Sequence, residues 1–258
     1  MLPLFSREMI LRGIPAAECR WTYLIIRGKA LLFAVIYICV AMTVPEIMGK
    51  ALFLPVTGRL YTRTREYPEV VYVPNYTEGP YLAARSAVLI EATTGTVVYG
   101  KNEHMRMHPA STTKIMTALL AEEYLDLEET ALVSEQAART LPTTIGLKAG
   151  QEMRVKDLLV AALLSSANDA TVVLAERIAG SEELFAHLMN KKAFVLGAVS
   201  TPFKNSNGLP AEGHLSTCHD LFIISRAALQ KPFFAETVAK TEEYIDHPGY
   251  PQGKLVKN

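Results

Sequence analysis

A serine and a lysine set three residues apart carry the first chemistry this sequence suggests. They lie in His108-Pro109-Ala110-Ser111-Thr112-Thr113-Lys114. Pro109 favours an extended approach, and a helical pattern begins immediately after it. Ser111 is then expected at the helix N-terminus, where the positive end of the dipole favours alkoxide-like charge. Lys114, one turn on and on the same face, is within reach of the serine oxygen. A serine is a weak nucleophile without a base, and a lysine can be that base once its amine is desolvated. The apolar helix after Lys114 would supply the burial. The plain alternative is a capping serine beside a solvated lysine, and Ser-x-x-Lys taken alone is a weak pattern.

A second segment, Leu163-Leu164-Ser165-Ser166-Ala167-Asn168-Asp169-Ala170, falls between two apolar helices and predicts a tight interhelical turn. Ser166 and Asn168 alternate, so both can face one cleft. A hydroxyl there can relay a proton, and an amide can hold a substrate carbonyl. Capping of the next helix is the plain alternative.

The elements that must position these residues follow from patterning. Apolar runs at 87–90 and 96–99, with Thr93-Thr94-Gly95 between them, predict a β-hairpin. Helical periods cover 111–124, 155–164, 169–179, 181–196 and 217–229. Gly180 and Gly197 stop two of these helices, Ser181 and Thr217 cap two, and Pro232 closes the last. The 155–164 helix is almost wholly apolar in its second half, which makes it central to the core. The expected class is α/β (α+β), a helical subdomain with an antiparallel sheet. The 258 residues are 50% apolar, with 26 basic and 26 acidic side chains. That balance argues against disorder and against nucleic-acid binding.

Taken together, Ser-x-x-Lys followed by Ser-x-Asn resembles the penicillin-binding proteins and serine β-lactamases. The surroundings narrow the likeness to the low-molecular-mass D-Ala-D-Ala carboxypeptidases. They include Pro109-Ala110-Ser111-Thr112-Thr113-Lys114, Lys156-Asp157-Leu158-Leu159, Ser166-Ala167-Asn168-Asp169-Ala170, Asn207-Gly208-Leu209 and Gly213-His214. The resemblance runs over about 84–234 and implies a β-lactamase/transpeptidase-like fold. It implies Ser111 as nucleophile, Lys114 as base, Ser166 as proton relay and Asn168 as a substrate contact. The implied substrate is a peptidoglycan stem peptide ending in D-Ala-D-Ala, and β-lactam antibiotics would acylate the same serine. No metal or organic cofactor is implied. The same residues would allow a D,D-endopeptidase.

The family's third element, Lys-Thr-Gly on a strand lining the cleft, has no counterpart here. The Lys240-Thr241 pair is followed by Glu242. The family's remaining C-terminal strands are therefore expected to be missing, with 84–258 a truncated catalytic domain. Loss of one oxyanion donor costs ~10²–10³ in rate, so a catalytically impaired remnant that only binds peptidoglycan is the competing reading.

The N-terminus reads as a targeting segment. Five basic residues against two acidic ones precede an uncharged run over 30–44. At 15 residues, the run suits a signal sequence or short signal-anchor better than a full span. The expected plan is a basic segment and signal over 1–45, a proline-punctuated linker over 46–83 with a possible strand at 69–73, and a domain outside the cytoplasmic membrane. His104 with His108, and His214 with Cys218 and His219, are weaker patterns for zinc. Pro109 breaks any helix carrying the first pair, and the second set offers only one thiol.

Overall fold

The computed structural model describes residues 71–72 and 81–258. The predicted apolar run at 30–44 and most of the linker lie outside the described residues. No helix among the described residues is long and apolar enough to cross a membrane.

The hairpin forms where the alternation predicts it. Strands β2 (Ala87–Ile90) and β3 (Thr96–Lys101) pair antiparallel. The exposed Glu91 carboxylate closes their turn by accepting the N–H groups of Thr93 and Thr94 and the Thr94 hydroxyl. These bonds stabilise the ionised form and hold its pKa at about 2. Strand β1 (Val71–Tyr72) adds parallel to β3, with Val71 opposite Thr96, so a strand does form at 71–72 within the expected stretch.

A helical body follows. It comprises α1 (Lys114–Tyr124), α2 (Glu135–Ala138), α3 (Val155–Leu164), α4 (Asn168–Ala179), α5 (Glu182–Leu196), α6 (Cys218–Leu229) and α7 (Pro232–Val238). Helix α3 is buried nearly all round, as its composition requires, and packs on α1 and α4. Met116, Leu119 and Leu120 of α1, Leu158 and Leu159 of α3, Leu174 of α4 and Phe185 and Met189 of α5 form one core. The predicted caps are in place. Ser181 Oγ accepts from Leu184 N, and Thr217 Oγ1 accepts from Asp220 N.

Two details differ from the sequence reading. Helix α6 ends at Leu229 as expected, but Pro232 opens α7 instead of closing α6. A proline costs little in that first position, because its missing N–H would have had no partner. Short strands β4 (Thr130–Leu132) and β5 (Glu152–Arg154) form a further pair that three-residue patterns could not announce.

The chain also closes on a second hairpin, β6 (Glu242–His247) with β7 (Tyr250–Lys257). Ile245 and Val256 enter the core, and β6 packs on α3. Arg154 ties the two together by pairing with Asp157 (Nε to Oδ2 2.8 Å) and with Asp246. Asp246 N also donates to Asp157 Oδ1 at 3.3 Å.

Candidate active site

Ser111 sits in a short 3-10 turn, Ala110–Thr113, that leads straight into α1. The sequence period ran the helix back to Ser111, and the structure tightens its first turn instead. Ala110 is left-handed (φ 48°), and Thr112 Oγ1 donates to Pro109 O at 2.6 Å. The chain therefore turns sharply just before the serine, which is left exposed. A left-handed non-glycine residue costs about 1 kcal/mol or more and persists only where its surroundings enforce it.

Gly208 supplies part of that enforcement. A Cβ on Gly208 would stand 1.8 Å from Ala110 O, so only glycine lets this backbone lie against the turn. Its φ of +91° excludes most side chains independently. Behind the turn, buried His214 places Nε2 3.0 Å from Thr113 Oγ1, and His108 Nδ1 lies 3.0 Å from His214 O. Burial, with lesser repulsion from His108 and Lys204, lowers the His214 pKa. Here His214 is a packing partner of the Ser111 turn. Among the described residues, no three His, Cys, Asp or Glu side chains group to hold a metal ion.

Lys114 is buried, at 3% exposure, and its Nζ lies 3.2 Å from Ser111 Oγ and 2.8 Å from Asn207 O. Both contacts are to neutral oxygens. Among the described residues no carboxylate lies within ion-pair distance of Nζ. Burial brings the Lys114 pKa down from 10.5 to about 8. With one N–H held by Asn207, a neutral amine can turn its lone pair to Ser111 and take the hydroxyl proton.

Ser166 stands in the α3–α4 turn with φ 56°, a second left-handed residue at the site. Its Oγ donates to Ser111 Oγ at 2.8 Å. Two hydroxyls thus meet at the N-terminal ends of α1 and α4, where both dipoles favour negative charge.

Asn168 opens α4 and is buried. Its Nδ2 donates to Leu141 O at 2.9 Å, and its backbone N–H to Thr143 O at 2.7 Å. The next residue, Asp169, accepts the N–H groups of Ile145, Gly146 and Leu147. The start of α4 therefore anchors the whole 141–147 loop beside Ser166. The structure brings Ser111, Lys114 and Ser166 into direct contact and gives Asn168 a bond to the adjoining loop.

Sequence reasoning assigned no role to the Asn207 carbonyl, to Gly208 or to Asp169. Asn207-Gly208 is a recognisable turn signal, but its partner lies about a hundred residues away. Nothing in the local pattern places one against the other.

Residues 74–247 match the family described as D-alanyl-D-alanine carboxypeptidase. The chain belongs to this family. D-alanyl-D-alanine carboxypeptidase DacF of Bacillus subtilis is 44% identical over 167 residues, an alignment covering 63% of this chain and 43% of DacF. The chain therefore spans less than half of that relative's length. Among solved structures, a penicillin-binding protein homologue from Mycobacterium tuberculosis superposes with a TM-score of 0.67 at 31% identity, covering 73% of this chain and 71% of the other. Penicillin-binding protein D2 from Listeria monocytogenes, in its ampicillin-bound form, does so with a TM-score of 0.61 at 29% identity, covering 70% of this chain and 74% of the other. The likeness to the family's transpeptidase-like fold anticipated from the motifs holds.

Proposed function

We propose that the chain performs the family's serine acyl transfer, removing the terminal D-Ala from peptidoglycan stem peptides with Ser111 as nucleophile. The observation that carries the reading is the contact of Ser111 Oγ with both the buried Lys114 amine and the Ser166 hydroxyl. In this reading neutral Lys114 accepts the Ser111 proton as Oγ attacks the carbonyl carbon between the two D-alanines. The oxyanion forms against backbone N–H groups, that of Ser111 among them. The C–N bond then breaks, and the leaving amine takes a proton through Ser166. Water hydrolyses the resulting ester, and its proton returns through the same groups.

Asn168 orients the substrate backbone, directly or through the loop it holds at Leu141. The β-lactam amide presents the same kind of carbonyl to Ser111, so penicillins acylate it and stay attached as long as deacylation is slow. The substrate lies outside the cytoplasmic membrane. The basic flank and apolar run at the N-terminus fit delivery there, with the run as a signal sequence or short anchor.

Labelling with a fluorescent penicillin tests the reading. The chain is expected to take up one label, and Ser111→Ala to take up none. Equal labelling of the variant, or none of a well-folded wild type, contradicts it.

A further inference from the structure

Lys114 depends on a turn that is held from outside the catalytic pair. Asn207 O fixes the amine at 2.8 Å. The turn offering that carbonyl is held from three helices, with Ser206 Oγ 3.3 Å from Thr171 Oγ1 of α4. On the inner side, Thr117 Oγ1, three residues beyond Lys114 on α1, donates to Ser206 O at 2.6 Å. On the outer side stands Glu182, in the first turn of α5. Its Oε1 accepts Ser206 N at 3.0 Å, Ser206 Oγ at 2.6 Å and Asn207 Nδ2 at 3.2 Å.

The two turn residues are sealed, with Ser206 at 0% and Asn207 at 3% exposure, whereas Glu182 is only half-buried. Glu182 lines a surface cleft of about 500 Å³ together with Gln136, Glu183, His187, Asn190 and Lys204. One carboxylate oxygen therefore gathers three donors of the turn, and bonds to an ionised acceptor are the stronger kind.

We propose that Glu182 is a positioning residue for Lys114, holding Ser206 and Asn207 so that the Asn207 carbonyl keeps the amine buried beside Ser111. The proposal rests on the reading of Lys114 as the base. Glu182 touches neither Ser111 nor the amine and acts only through the turn. Burial is what lowers the Lys114 pKa, so a turn released from Glu182 lets water reach Nζ and returns the amine towards its ordinary range. A glutamine at 182 keeps a side-chain oxygen in the same place and should keep the turn.

The test follows the Lys114 ε-carbon by NMR titration of the full chain labelled with ¹³C-lysine, its signal assigned by loss in Lys114→Met. Acylation by penicillin is measured alongside. The wild-type midpoint is expected near 8. Glu182→Ala should raise it by about one unit and slow acylation at pH 7 about tenfold. Glu182→Gln should restore both. A folded Glu182→Ala with an unmoved midpoint overturns the proposal. If that variant does not fold, Ser206→Ala, which removes the 2.6 Å bond to Glu182 together with the longer 3.3 Å contact to Thr171 Oγ1, should move the midpoint the same way, and an unmoved midpoint there overturns it equally. If the midpoint moves while the wild type takes no penicillin, the positioning role stands and the reading of Lys114 as the base falls.

Discussion

At the scale of single residues, the account turns on the protonation of one buried amine. Lys114 has a pKa of about 8, so roughly a tenth of it is neutral at pH 7 and half at pH 8. Only the neutral form accepts the Ser111 proton. Acylation of Ser111 should therefore rise about tenfold from pH 6 to 7, more slowly above, and level off past pH 9. Stopped-flow acylation across that range checks this, and a rate flat from pH 6 to 9 counts against Lys114 as base. The sequence made Ser111, Lys114 and Ser166 legible because their spacing is local, one helical turn in one case and one interhelical turn in the other. Asn168 as a substrate contact came only with the family resemblance, and its bond to Leu141 was not indicated, because it depends on a loop 27 residues away in the chain.

At the scale of elements, short turns hold the chemistry and helices hold the turns. The 3-10 turn at Ala110–Thr113, the left-handed Ser166 and the 206–208 turn meet at Ser111 and Lys114. Gly208 is the tightest joint among them, since an added Cβ would overlap the Ala110 carbonyl. Gly208→Ala must push the serine turn away. A misplacement of about 1 Å can cost roughly 10²-fold, so that loss of acylation is expected, measured as penicillin labelling rate with circular dichroism to confirm the fold. Wild-type rates in a folded variant would show that the turn does not set the geometry. Helices with clear periods and caps, such as 155–164 and 181–196, were readable from the sequence. Strands β4 and β5 were not, because three residues carry no period. The closing hairpin was hidden for another reason: its strands are mixed in polarity, and only Ile245 and Val256 reach the core.

At the scale of the whole molecule, one helical core carries the site on its N-terminal helix ends. The closing hairpin is fastened to that core through Arg154, Asp157 and Asp246. The family likeness was legible because several motifs occur in order, and the match over residues 74–247 bears it out. The central claim is that Ser111, Lys114 and Ser166 carry acyl transfer in this chain. The most direct measurement is intact-mass spectrometry after exposure to penicillin, followed by mapping of the modified peptide. The account predicts a single adduct of one penicillin mass on Ser111, absent when Ser111 is alanine and formed about 10²-fold or more slowly in Ser166→Ala. An adduct on any other residue, or a folded protein that gains no mass, would contradict it.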